Sequence, residues 1–242
     1  MNKIAKKDTN EEDFQKLKSL IITLQSSVGK NKITAKDVNL AISDLKELGY
    51  TYKAEKFPVL DKTNGYEYKS HNSPENFAEA MLWKLGKWKN YKKYAEMYNS
   101  ELQSKSNSEL KAKPISIPDN TGVVFYGFVK HLVNNKNPIY DQHAMRALWA
   151  ICNLTDVEET SCKKALFKVD ESWKPAMSGA HTTKCYELFI KYVKTLTVVD
   201  GDVTLRKLDD LLMPMGQAIK DFAKGSGVTK DFGAFQILRG RQ

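Results

Sequence analysis

The residues of this chain with the most evident chemistry lie in the run WKLGKWKNYKKY at positions 83–94, which has five lysines, four aromatic residues and no acid. Lysine ammonium groups neutralise phosphates, while flat rings stack on exposed bases or wedge into a gap in a duplex. The run indicates a nucleic-acid surface made by Lys84, Lys87, Lys89, Lys92 and Lys93, with Trp83 and Trp88 as base wedges or pocket walls. The alternative is a surface helix whose rings face the core and whose lysines face water.

A second group of candidate residues surrounds Asp141, in the segment NPIYDQHAMRALW at positions 137–149. Pro138 disfavours helix for the residue before it, so one helix is expected to end there and another to begin near Asp141. At a helix start the carboxylate can accept hydrogen bonds from exposed backbone N–H groups. It can also stabilise a sugar cation and deprotonate water during glycosidic bond cleavage. Both roles are open at this point.

Helices are the elements that must position these residues. Apolar residues at helical spacing, with their caps, predict helices from Phe14 to Leu24, from Thr34 to Leu48, from Ser73 onwards, and over about 120–133, 141–152, 183–196 and 204–223. Between Tyr50 and Ser70, the TNG turn indicates a short β-hairpin or an irregular loop. Residues from 224 onwards are expected to form a glycine-rich basic tail, either disordered or trailing along a phosphate backbone through Arg239 and Arg241.

These elements predict a mainly α protein with at most a short β-hairpin. Residues 1–70 are expected to form an N-terminal helical segment with the hairpin, and residues 71–242 a helical core, together one compact unit. With 41% hydrophobic and 28% charged residues, the 242-residue chain is neither collagen-like nor wholly disordered. The formal charge of +9 favours a polyanionic partner.

The sequence offers little for other chemistries. Three scattered cysteines and four histidines form no zinc pattern, so we expect reduced, buried thiols, no metal site and no cofactor. Phosphate-loop, dinucleotide-binding and serine-hydrolase motifs are also missing from the sequence. No apolar stretch approaches the ~20 residues of a membrane span, and the first residues are charged, which favours a cytoplasmic protein that joins the nucleoid when bound to DNA.

The segment from Pro118 to Leu148 resembles the helix-hairpin-helix DNA glycosylase superfamily. In that family a hairpin is followed by an apolar helix, a short break and an essential aspartate that opens the next helix. Here the corresponding parts are IPDNTG at 117–122, the apolar residues 123–133 and Asp141, with Gly122 placed 19 positions before Asp141. The resemblance implies a helical glycosylase-like fold of two packed subdomains, with Asp141 as the catalytic carboxylate. It also implies a DNA phosphate held near Asn120 and Gly122.

The resemblance further implies how the reaction would run. Bifunctional members carry a nucleophilic lysine just after the hairpin, where this chain has Val-Val-Phe at 123–125, and Lys130 lies a few turns further on. A monofunctional enzyme with water as nucleophile is therefore expected. Base flipping needs a pocket of flat or apolar side chains, for which Trp83, Trp88, Tyr140 and Trp149 are candidates, with His143 beside them. His143 and Arg146 are candidates for contacts with the abasic sugar or the DNA backbone.

The expected function is thus a DNA glycosylase that removes a damaged or modified base from double-stranded DNA. Its role would be base-excision repair or defence against a phage that carries modified DNA. The leading alternative is a non-catalytic helical DNA-binding protein that uses the lysine and aromatic surface. A third interpretation is an adaptor that binds an acidic protein through its positive charge. The sequence identifies no particular protein partner. The aromatic candidates are also typical core residues, and His131 on an apolar helix is typical of a structural histidine.

Overall fold

In a computed structural model, the residues that the structure describes lie mainly in helices. The structure describes residues 11–30, 33–52, 60–61, 67–68, 84, 122–134, 136–167, 180–198, 203–223 and 230–241. The helices are α1 Glu11–Gly29, α2 Ala35–Glu47, α3 Val123–Val133, α4 Gln142–Ile151, α5 Asp156–Leu166, α6 Ala180–Val198, α7 Leu205–Phe222 and α8 Lys230–Leu238. Strands β1 Leu60–Asp61 and β2 Glu67–Tyr68 pair antiparallel, with Leu60 opposite Tyr68. The predicted mainly α fold with a short hairpin is confirmed.

Local sequence signals set the ends of α2. The Thr34 hydroxyl accepts a hydrogen bond from the Asp37 backbone N–H at 3.2 Å, and the Asp37 carboxylate accepts one from the Thr34 N–H at 2.9 Å. This reciprocal pair satisfies backbone donors that the first helical turn leaves without partners. Gly49 follows the helix at φ 83°, a left-handed conformation that glycine adopts without strain. The start and stop predicted from sequence are therefore both observed.

Helix α4 occupies the centre of the described fold. It contacts α1, α6 and α7, and every residue from Ala144 to Ile151 is buried. A helix buried on all sides needs apolar residues around its whole circumference, and the sequence AMRALWAI supplies them with one exception. That exception is Arg146, whose guanidinium donates a hydrogen bond to the Leu166 carbonyl at 2.6 Å, at the end of α5.

Helix α7 approaches α4 closely at Gly216. A Cβ atom built on Gly216 would lie 1.9 Å from the carbonyl oxygen of His143, in the first turn of α4. Only hydrogen fits at that position, because the obstructing atom belongs to the backbone and cannot rotate away. Two residues earlier, Pro214 lies inside α7 and has no N–H to donate to the helical hydrogen-bond ladder. The predicted helix over 204–223 nevertheless continues through both residues.

The C-terminal segment corrects the prediction of a basic tail. Residues 230–238 form α8, and the rings of Phe232 and Phe235 pack against Trp149. The prediction was wrong because it relied on the glycines and charged residues of this segment and overlooked two phenylalanines at helical spacing. Arg239 and Arg241 do not trail outwards: their guanidinium groups bind the Glu159 carboxylate at 2.8 Å and 2.7 Å.

The three cysteines are free and buried, as expected. Burial raises the pKa of Cys152 to about 12, so its thiol stays protonated at neutral pH. In the part of the chain that the structure describes, no helix has both the length and the apolar character needed to cross a membrane.

Helices α5 and α6 are joined through the side chain of Glu158. Its carboxylate accepts hydrogen bonds from the Thr155 backbone N–H, the Tyr192 hydroxyl and the Lys191 ammonium group, each at 2.9 Å. Burial opposes the charged form, but these three bonds outweigh it and lower the pKa of Glu158 to about 2.

We expect Gly216→Ala to lower the free energy of unfolding by about 3 kcal/mol, because the added methyl group must push α7 away from α4. The matched control is Gly233→Ala in α8, where a Cβ meets nothing within 4 Å. That variant should be neutral or gain up to about 1 kcal/mol from helix propensity. Urea unfolding followed by circular dichroism measures both. Equal stability of the two variants would contradict the close approach.

We expect Glu158→Gln to lower the free energy of unfolding by about 1 kcal/mol near neutral pH, since the exposed Lys191 partner is partly screened. The folded-state pKa lies below the value of about 4.3 in an unfolded chain. The stabilisation is therefore fully present above that value and is lost as the pH falls towards 2. Thermal unfolding of both proteins across this acid range checks it. A stability difference that does not change with pH would exclude the ionic contribution.

Candidate active site

Asp141 is the N-cap of α4. Its backbone is extended, with φ −150°, and its Oδ1 atom accepts a hydrogen bond from the Ala144 backbone N–H at 2.7 Å. The bond satisfies one of the amide groups that the first turn of a helix leaves without a partner. It also fixes the orientation of the carboxylate at the mouth of the helix, as the sequence indicated for the capping role.

The second carboxylate oxygen of Asp141 faces a lysine. The Oδ2 atom lies 3.9 Å from Nζ of Lys84, and the two side chains are 16% and 14% exposed. The Lys84 ammonium group also lies 5.7 Å from the centroid of the Phe128 ring. Because both charges are largely shielded from water, their attraction is screened less than that of a surface pair. The site thus consists of one oriented carboxylate, one cation and an aromatic face.

Helix α3 and the break after it lead the chain to Asp141. Gly122 precedes α3 at φ 92°, a left-handed conformation in which any side chain would be strained. After α3, the Asn137 side-chain amide donates to the carbonyls of Lys130 and Asn134, at 3.1 Å each. These bonds satisfy carbonyls at the end of the helix. The His131 ring also forms a hydrogen bond with the Asn137 carbonyl, which links α3 to the segment after it. This contact agrees with the interpretation of His131 as a structural histidine.

Tyr140 lies in the core rather than at the surface of the site. Only 1% of the residue is exposed, and its ring packs edge-on against Tyr186 and Phe189 at centroid distances of 5.2 Å and 5.3 Å. Burial raises the pKa of Tyr140 well above its usual value. In this conformation the ring supports the backbone next to Asp141 and is not open to a base.

His143 lies in the first turn of α4 and is largely enclosed. Burial lowers its pKa, and the charges of Arg146 and Lys220 act in the same direction. The nearby Asp141 carboxylate and a hydrogen bond with the Gly216 backbone oppose the shift without cancelling it. The balance favours the neutral imidazole at neutral pH.

Of the remaining predicted site residues, Arg146 and Lys130 lie in the part of the chain that the structure describes. Arg146 is 6% exposed, and its guanidinium group both donates to the Leu166 carbonyl and lies 5.5 Å from the Phe167 ring centroid. The Lys130 ammonium group lies 5.5 Å from the Tyr126 ring centroid. The other candidates lie outside the described residues: Trp83, Lys87, Trp88, Lys89, Lys92, Lys93 and Asn120.

The pairing of Lys84 with Asp141 is the feature that sequence reasoning missed. The sequence predicts phosphate binding for Lys84 and its neighbours, and it places Tyr140 and His143 beside Asp141 without indicating a contact with Lys84. Periodicity relates residues within one helix but does not report on contacts between segments so distant in sequence. Among the described residues, no three histidine, cysteine or acidic side chains form a group that could hold a metal ion.

No protein-family model, curated protein or solved structure matches this chain. The likeness of its central segment to helix-hairpin-helix glycosylases therefore stays a prediction.

We expect Asp141→Ala to lower the free energy of unfolding by about 1 kcal/mol, because the first turn of α4 loses its side-chain acceptor. Asp141→Asn should lower stability less than Asp141→Ala does, because both variants lose the charge that faces Lys84 but the asparagine oxygen can still cap the same N–H. Chemical denaturation of the two variants beside the parent measures the difference. An alanine variant as stable as the asparagine variant would show that the cap contributes nothing.

Proposed function

We propose that this chain is a monofunctional DNA glycosylase that hydrolyses the N-glycosidic bond of a damaged or modified base. The observation that supports it best is the arrangement of Asp141, with one oxygen held by the helix and the other turned to a cation 3.9 Å away. Reactions through sugar cations need a carboxylate whose orientation is set before the substrate arrives. The surplus of +9 charges supplies the attraction for a polyanion.

In the proposed reaction the bond between C1′ and the base nitrogen breaks first, and its electron pair leaves with the base. Positive charge develops on the sugar, where the Asp141 carboxylate stabilises it electrostatically. A water oxygen then forms a bond to C1′, and the water proton passes to the carboxylate as general base. The departing base takes up a proton from solvent and the Asp141 carboxyl returns its proton to solvent, so the products are a neutral base and an abasic sugar with a hydroxyl group at C1′.

Lys84 would serve DNA binding at the same place. Its distance of 3.9 Å from Asp141 is longer than the roughly 2.7–2.9 Å of a tight ion pair, so the contact is loose. A phosphate oxygen can compete for such an ammonium group when DNA arrives. The lysine would then leave the carboxylate free to face the sugar, while Gly122 and the basic residues around positions 83–94 hold the backbone.

The identity of the base would decide between repair and defence. A common lesion as substrate would indicate base-excision repair, whereas a hypermodified base would indicate defence against a phage that carries it. The second candidate, a non-catalytic DNA-binding protein, shares the basic surface but assigns Asp141 to capping alone.

Base release from a panel of duplexes with damaged and naturally modified bases tests the proposal. We expect strand breaks only after alkali, with the parent protein and not with Asp141→Asn, because alkali reveals the abasic site that a monofunctional enzyme leaves. The asparagine variant should bind the same duplex at least as tightly as the parent, since the cap is preserved and Lys84 no longer has the carboxylate as a competing partner. If no duplex in the panel releases a base while salt-sensitive duplex binding is retained, the non-catalytic DNA-binding protein would be favoured.

Borohydride trapping during the reaction separates water from an amine as nucleophile. We expect no covalent protein–DNA adduct with the parent protein, because water attacks C1′. An adduct that forms with the parent and disappears with Lys84→Met would reassign the nucleophile to Lys84.

A further inference from the structure

Helices α1 and α2 form an open groove that plays no part in the proposed function. Its floor consists of the buried side chains of Leu20, Leu24, Ala41 and Leu48, and its volume is about 370 Å³. One wall carries Leu40, which is 58% exposed although it is apolar. A volume of this size lies within the usual range for binding clefts, about 300–1,000 Å³.

The lining of the groove has the opposite charge to the chain as a whole. Four carboxylates line it against one lysine, while the whole protein carries a net charge of +9. The lysine is Lys16, which forms an ion pair with Glu12 at 2.6 Å. Hydrogen bonding and charge from Glu12, together with the charge of Glu47, raise the pKa of Lys16. The groove therefore presents negative charge to any molecule that enters it.

The negative charge most accessible to a partner lies towards the C-terminal end of α2. Asp37 uses its Oδ2 atom in the capping box with Thr34. Asp44 and Glu47 lie further along α2, and Glu47 is exposed. With Leu40 one turn before Asp44, α2 offers an apolar contact flanked by carboxylates. Nucleic acid is a poor occupant of such a surface, because its phosphates would be repelled.

The shape of the groove indicates what kind of segment fits. Its lining residues run from Asp13 to Leu24 on α1 and from Asp37 to Glu47 on α2, with Leu48 directly after that helix. At ~1.5 Å per residue this corresponds to about 16 Å, or three helical turns. A helix of that length presents apolar side chains at i, i+3, i+4 and i+7 to a groove, which is a recurrent mode of peptide recognition.

We propose that the α1–α2 groove binds a lysine- or arginine-rich amphipathic helix of a partner protein. The apolar face of the partner helix covers Leu40 and the leucines of the floor. Its basic residues flank that face and pair with Asp44 and Glu47. The groove is thus a protein-docking site that shares no lining residue with the site of Asp141 and Lys84.

The test uses the full chain and a synthetic fluorescent helix of leucine and lysine, with leucines at i, i+3, i+4 and i+7. Fluorescence anisotropy should show saturable binding. A peptide of the same composition with scattered leucines should bind at least about tenfold more weakly, and so should a leucine–glutamate helix. Equal affinity for the patterned and the scattered peptide would overturn the proposal, because binding would then reflect charge alone.

Variants locate the binding to the groove. Leu40→Lys and Glu47→Lys should each weaken binding of the patterned peptide by about tenfold. The matched control is Val157→Lys on α5, because Val157 is also an exposed aliphatic residue at 67% exposure. It should bind as the parent does, and an equal loss in this control would overturn the proposal.

Sedimentation of the parent and of Leu40→Lys tests the other occupant, a second copy of this chain. We expect both to be monomers. A parent dimer that dissociates in Leu40→Lys would assign the groove to self-association and contradict a partner helix.

Discussion

Helix α7 lies against the first turn of α4 at a distance that only glycine permits. Gly216 meets the carbonyl of His143 there, so the two backbones fix each other's position. Asp141 caps the same turn of α4, so the position of its carboxylate depends on this contact. If α7 moved outwards, the start of α4 would lose its support and could shift, and the capped carboxylate would shift with it relative to Lys84.

The position of α4 at the centre places a further demand on the fold, since polar groups on a buried helix must find partners. Arg146 reaches the end of α5 through the Leu166 carbonyl, and the indole N–H of Trp149 donates to Glu159 at 3.2 Å. The Glu159 carboxylate also forms an ion pair with the buried guanidinium group of Arg239, which follows α8. A buried charge stays favourable only when it is paired in this way. The C-terminal segment is therefore needed to complete the core around α4.

Local signals made much of this fold predictable from the sequence. The capping pair at Thr34 and Asp37 and the helix start at Asp141 each depend on residues within four positions of one another. Helix α8 was missed because its two phenylalanines lie among glycines and charges, and their packing partner Trp149 is distant in sequence. The contact between Lys84 and Asp141 is not predictable for the same reason: it arises from tertiary packing between distant segments, which hydrophobic periodicity does not indicate.

If the start of α4 is a reactive centre, a bound nucleotide must reach Asp141. The most direct measurement is a crystal structure of Asp141→Asn bound to a duplex that carries an abasic-site analogue. We expect the sugar C1′ position within about 3–4 Å of the residue-141 side chain, and the Lys84 ammonium group on a phosphate or sugar oxygen. A duplex bound elsewhere, with residue 141 still facing Lys84 and remote from the sugar, would contradict a catalytic role for Asp141.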